Sequence, residues 1–109
     1  MSAALFIAQR ATAAILAFAV AGHLATIVYA VRGGLTAADV LGRTRHNGWF
    51  LAFYALFVIA AAIHAPIGLR NVVREWSSWR GRSLDYALAA FCALLVVMGL
   101  AAALALYAA

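Results

Sequence analysis

The sequence predicts an all-α integral membrane protein, a three-transmembrane-helix bundle with a short interfacial helix in the first loop. Three observations lead there. Of 109 residues, 69% are hydrophobic and 10% charged, and the mean hydropathy of +1.03 is far above that of a soluble domain of this length. Three stretches, about Ala11–Val31, Trp49–Leu69 and Tyr86–Tyr107, contain no Asp, Glu, Lys or Arg. Each is long enough to cross a hydrocarbon core of ~30 Å at ~1.5 Å per residue. The charged residues fall before and between these runs. A chain this short has room for one small bundle, so residues 1–109 are expected to form a single membrane domain.

The first run is longer than the core of a signal peptide and lacks a small-residue cleavage site, which predicts a retained span. Gly33-Gly34 should break its helix. Thr36-Ala37-Ala38-Asp39 has the form of a capping box with Asp in place of the usual Glu or Gln, which predicts a short helix on the outer surface ending near Gly42. The second span should run on beyond the membrane surface past Arg70, with Trp76 and Trp79 as interfacial anchors. Pro66 inside it frees the carbonyl of Ala62 and predicts a kink. Ser83 is placed to cap the third span, with Asp85 in its first turn against the helix dipole. The third span is nearly all Ala, Leu and Val, which suits close helix packing in lipid.

All eight cations are Arg. Arginine beside membrane spans reports topology rather than nucleic-acid binding. Arg10, Arg70, Arg74, Arg80 and Arg82 fall on one side, and Arg32, Arg43 and Arg45 on the other. The positive-inside rule then favours a cytoplasmic N-terminus, a cytoplasmic second loop and an outward C-terminus. The single Cys92 can form no internal disulfide.

Chemistry concentrates on the histidines. His64 is the ionisable group of the second span and His23 that of the first. Ionisable side chains at this depth face a partner, a cavity or a metal. A proton or ion path would normally include an intramembrane carboxylate, and none is present, so axial ligation of haem iron is the leading reading. The alternative is a neutral histidine hydrogen-bonded to a neighbouring helix. On a helix, His64 shares its face with Phe57, Ala60, Ala61, Gly68 and Asn71, where small residues would leave room for a flat porphyrin. Counted from Arg10 and Arg70 as marks of one membrane surface, His23 lies roughly 20 Å deep and His64 roughly 9 Å deep. An offset of about 10 Å is too large for one iron between neighbouring antiparallel helices. The spacing implies two metal sites, each completed by another polypeptide, or one ligand and one structural histidine. His46, beside Arg43, Arg45 and Asn47, is expected to face solvent or headgroups, with contact to a haem propionate as the sharper reading.

The string His64-x-x-x-Gly68-Leu69-Arg70 resembles the haem-ligand motif of the cytochrome b membrane-anchor subunit of succinate dehydrogenase and fumarate reductase (complex II). Gln9-Arg10-Ala11-Thr12 resembles the same subunit's His-Arg-x-Ser/Thr segment. Gln9 stands for the family's His, Phe6 for a frequent Ser, and Asn71 and Glu75 follow Arg70. The resemblance implies that His64 ligates haem b and that Arg10 lies near quinone or the haem propionates. It implies His23 as ligand of a second haem in the manner of di-haem members, with Gly68, Arg70 and His46 as further candidates at the cofactor. It further implies an iron–sulfur subunit and a flavoprotein subunit docked on the cytoplasmic face near Arg70, Arg74, Trp76 and Trp79. Bis-histidine ligation then needs a second anchor subunit or a second copy of this chain, and quinone is the expected substrate at the inner membrane. The alternatives are a non-haem structural or assembly protein binding neighbouring helices through Ala-rich faces, and a small transporter, which the missing intramembrane acid disfavours.

Overall fold

The computed structural model describes residues 2–109, and every regular element among them is helical. α1 (Ala3–Gly33), α2 (Ala37–Thr44), α3 (Gly48–Trp76) and α4 (Arg82–Ala108) follow one another in the chain. α1, α3 and α4 are long and apolar enough to cross a membrane, and they enclose the three expected spans. α3 packs against both α1 and α4. The molecule is a rod of 49 × 23 × 22 Å, comparable in length to a whole bilayer with its headgroups, roughly 40–45 Å.

Each end has a local cause. Ser2 caps α1 by accepting from the Leu5 N–H at 3.2 Å, so the helix begins well before the apolar run does. Gly34 ends it with φ at 122°, a left-handed backbone that a side chain would strain. α2 begins at the expected capping box: the Thr36 hydroxyl accepts from Asp39 N–H at 3.1 Å, and the Asp39 carboxylate accepts from Thr36 N–H at 3.2 Å. The helix continues past Gly42 to Thr44, whose buried hydroxyl donates back to the Val40 carbonyl. α3 is capped by Asn47, which accepts from Phe50 N–H, and runs unbroken through buried Pro66. As expected, it extends beyond the second span to Trp76, which is exposed.

The start of α4 differs from expectation. Ser83 does not cap it, because Arg82 is already helical and the turn is made at Gly81, φ 89°. Ser83 instead accepts from the indole N–H of Trp79 at 2.8 Å. Asp85 does occupy the first turn. Arg80 folds back over the end of α3, donating to the carbonyls of Ser77 at 3.0 Å, of Trp79 at 3.1 Å and of Arg74. The bond to Arg74 satisfies a carbonyl in the last turn of α3 that the helix terminus leaves open.

Small residues set how closely the long helices approach. A Cβ on Gly22 of α1 would sit 2.9 Å from the ring of Phe53 on α3, and one on Gly99 of α4 would strike Val58 of α3. Without a hydrophobic driving force between helices in lipid, such close contact is what holds them. Among the described residues of the long helices, the buried ones are few: Thr12 and Ala19 on α1, Ala60, Ala62, Pro66 and Ile67 on α3, and Leu84, Leu88 and Ala103 on α4.

Candidate functional site

The antiparallel seam of α1 and α3 carries both membrane histidines. Its register is fixed by four contacts in sequence. Gly68 faces the carboxamide of Gln9, His64 faces Thr12, Tyr54 faces His23, and Phe53 faces Gly22. The two histidines therefore occupy separate levels of one seam. Ten residues of α3 separate Tyr54 from His64, about 15 Å at the helical rise. That offset exceeds the one expected from the arginines, and the register explains it. With Gly68 opposite Gln9, Arg70 lies level with the residues before Gln9, and Arg10 sits about 4.5 Å deeper. Arg10 and Arg70 do not mark one plane.

His64 is half-buried, and its Nδ1 lies 3.3 Å from the Thr12 hydroxyl. Thr12 is 6% exposed, and its hydroxyl donates to the Ala8 carbonyl at 2.7 Å, with the Gln9 carbonyl at 3.2 Å. One turn toward the N-terminal end, Oε1 of Gln9 is buried without a hydrogen-bond partner among the described residues. Gly68 thus meets α1 through an amide rather than standing beside an open slot.

His23 has a different setting. Its Nδ1 is 2.9 Å from the Tyr54 hydroxyl, and its ring meets Tyr54 and Phe57 edge-on, with centroids 5.7 and 5.5 Å away. It opens on a groove of about 410 Å³ bounded by Phe57, Val58, Ala61, Met98 and Gly99. This continues into one of about 390 Å³ toward Phe50, Ala102 and Leu106. The wall is apolar apart from Tyr54, with His23 as its one imidazole and the Met98 thioether as a second soft donor.

The remaining candidates lie apart. Arg70 turns toward α4 and pairs with Asp85 at 3.7 Å, beside a cavity of about 420 Å³ that also touches Leu5, Pro66, Leu88 and Cys92. Arg10 is exposed on α1, two residues from Thr12. His46 sits at the opposite end of α3, with φ at 53°. Its N–H donates to the Tyr107 carbonyl at 2.9 Å, and its exposed ring packs edge-on against Tyr107. Arg43 is occupied locally, donating to the Gly34 carbonyl at 2.7 Å and lying over the Tyr29 ring.

No three His, Cys, Asp or Glu side chains gather at one point among the described residues. Each level offers one imidazole, which fits a metal that is carried by an apolar macrocycle and needs a single nitrogen from this chain. Sequence reasoning named both histidines but not their partners Thr12 and Tyr54, nor Asp85 as the partner of Arg70. For Thr12 a signal existed, since it closes the segment Gln9-Arg10-Ala11-Thr12. Its opposition to His64 follows only from the register.

The model of the family described as succinate dehydrogenase/fumarate reductase transmembrane subunit matches residues 1–106. No curated protein and no solved structure matches the chain.

Proposed function

Because the chain belongs to the succinate dehydrogenase/fumarate reductase transmembrane-subunit family, we propose that it carries haem b in the membrane and passes electrons between an iron–sulfur subunit and quinone. The observation behind this reading is that His64, in the family's motif, keeps one ring nitrogen engaged inside the seam at Thr12. Its other ring nitrogen makes no such contact among the described residues. A metal-bound histidine is normally held this way, through its second nitrogen. His64 would supply one ligand to its iron and a partner chain another. His23, at its own level, would hold a second haem in the same fashion, beside the groove of Phe57, Ala61 and Gly99. Bound there, haem supplies one-electron transfer at a potential set by its ligands and burial.

The chain's own groups would place and insulate this chemistry. Thr12 and Tyr54 hold the two imidazoles. Arg10, exposed near the His64 level, is the cation available to propionates or quinone, and Gly68 and Gln9 close the seam beside it. Arg70 contributes charge at the same end, tethered by Asp85. His46, at the opposite end, would meet a headgroup or a propionate at the His23 level. The iron–sulfur and flavoprotein subunits would dock where Arg74, Trp76 and Trp79 project, on the cytoplasmic face of the inner membrane. That face would also hold the N-terminus.

The test is haem quantification and optical redox titration of the purified complex. His64→Ala should remove a haem b signal with the subunits still assembled, and His23→Ala should remove a second, separable one. A full haem complement in His64→Ala would defeat the assignment. An unchanged titration in His23→Ala would reduce the count to one haem.

A further inference from the structure

The two histidine pairs look alike, but their hydrogen atoms are distributed differently. A threonine hydroxyl has one hydrogen to donate. The Thr12 oxygen lies 2.7 Å from the Ala8 carbonyl and 3.2 Å from that of Gln9, both nearer than His64, which assigns the hydrogen to Ala8 in the back-bonded arrangement common for threonine inside helices. The oxygen can then meet His64 only as an acceptor, so the 3.3 Å contact requires the hydrogen on Nδ1 of His64. A neutral imidazole with its hydrogen on Nδ1 carries its lone pair on Nε2. Tyr54 imposes no such rule, because its hydroxyl hydrogen is free either to go to His23 Nδ1 or to point away while the oxygen accepts.

We propose that Thr12 is a positioning residue that fixes His64 in the Nδ1–H tautomer and so presents its Nε2 lone pair for ligation. The inference rests on the reading of His64 as a haem ligand for its purpose, but not for its geometry. Burial is part of the device. Thr12 is 6% exposed, so no water stands ready to replace its oxygen, and in lipid the lost partner would leave an unsatisfied N–H. An acceptor on the far nitrogen also raises the electron donation of an imidazole to a metal. Thr12 therefore acts on the electronics of a bound iron as well as on the ring orientation.

The test uses Thr12→Val, which preserves shape and removes the oxygen, and Thr12→Ser, which restores it. In the full chain reconstituted without haem in lipid nanodiscs, ¹⁵N shifts of the His64 ring should report the Nδ1–H tautomer in the parent and in Thr12→Ser. They should report a mixture or the Nε2–H form in Thr12→Val. An Nε2–H tautomer in the parent, or no change in Thr12→Val, would overturn the proposal whatever the haem content. In the purified complex, Thr12→Val should weaken haem retention about 10- to 100-fold, the usual loss for an outer-shell partner, and raise the midpoint potential of the His64-dependent haem. Thr12→Ser should restore both. Unchanged potential and retention in Thr12→Val, with haem lost in His64→Ala, would remove Thr12 from the mechanism while leaving His64 as ligand. Haem kept in His64→Ala would instead overturn the ligand assignment, and with it the role of Thr12.

Discussion

Gly99 and Gly22 show how single residues govern this bundle. A methyl group on Gly99 would meet both γ-methyls of Val58, and a β-branched side chain has little rotamer freedom to step aside. The α3–α4 pair would have to open. Gly99→Ala should therefore cost about 1–3 kcal/mol, the usual range for overpacking, seen as a lower unfolding midpoint of the purified complex. Gly22→Ala meets the far edge of the Phe53 ring, which can swing, and should cost less. A Gly99→Ala variant no worse than Gly22→Ala would show that the α3–α4 seam yields as easily as the α1–α3 seam. At this scale the sequence exposed the expensive groups and concealed their partners. His64 and His23 stood out because imidazoles are rare among apolar residues. Thr12 and Tyr54 did not, since threonine and tyrosine are ordinary in membrane helices and matter here only through the register of α1 on α3.

α2 is the element with the most explicit local chemistry. The Thr36 hydroxyl and backbone N–H both donate to Asp39 and hold its carboxyl below the ordinary value of 3.8, with Arg43 acting in the same direction. A carboxylate whose pKa is lowered by folding stabilises the folded form above its unfolded value and loses that contribution as pH falls through the folded one. Protection of the α2 amides against exchange, relative to the intrinsic rate at each pH, should thus be flat around neutral pH and fall only below about pH 4. Thr36→Ala should weaken the helix by about 1 kcal/mol, as for other lost caps, and flatten that acid dependence. An acid transition unchanged in Thr36→Ala would detach Asp39 from the cap. Helix starts of this kind are legible because Thr and Asp at the right spacing leave few other options. The start of α4 misled, since Ser83 looks like a cap, whereas the turn needs a positive φ that Gly81 adopts without strain.

The whole molecule is three long helices with little interior. α1 buries only Thr12 and Ala19, while Phe18 is 82% exposed and Ile7 65% exposed. Such surfaces suit lipid or the helices of another subunit, as expected for one member of a multi-subunit enzyme. The layout puts the N-terminus and the α3–α4 turn at one end and α2 at the other. If the first end is cytoplasmic, in a Cys92→Ala background a cysteine at Ser77 should react with a membrane-impermeant thiol reagent only from the cytoplasmic side. A cysteine at Gly42 should react only from the outside, and the reverse pattern would invert the proposed orientation. The overall topology was readable because three uncharged runs admit few arrangements. The depth of the histidines was less legible, because Arg10 and Arg70 stand at different heights and their levels depend on the register of α1 on α3.

That depth has an electrical meaning. Between the levels of Thr12–His64 and His23–Tyr54 lie about 15 Å of helix, half of a ~30 Å hydrocarbon core. A full crossing is worth about 2.3 kcal/mol per elementary charge at 100 mV, so a charge moved from one histidine to the other is worth about half of that. With redox centres at both levels, the membrane potential would bias every electron exchanged between them. One turn of register between α1 and α3 would then change how strongly the enzyme feels the energised state of its membrane.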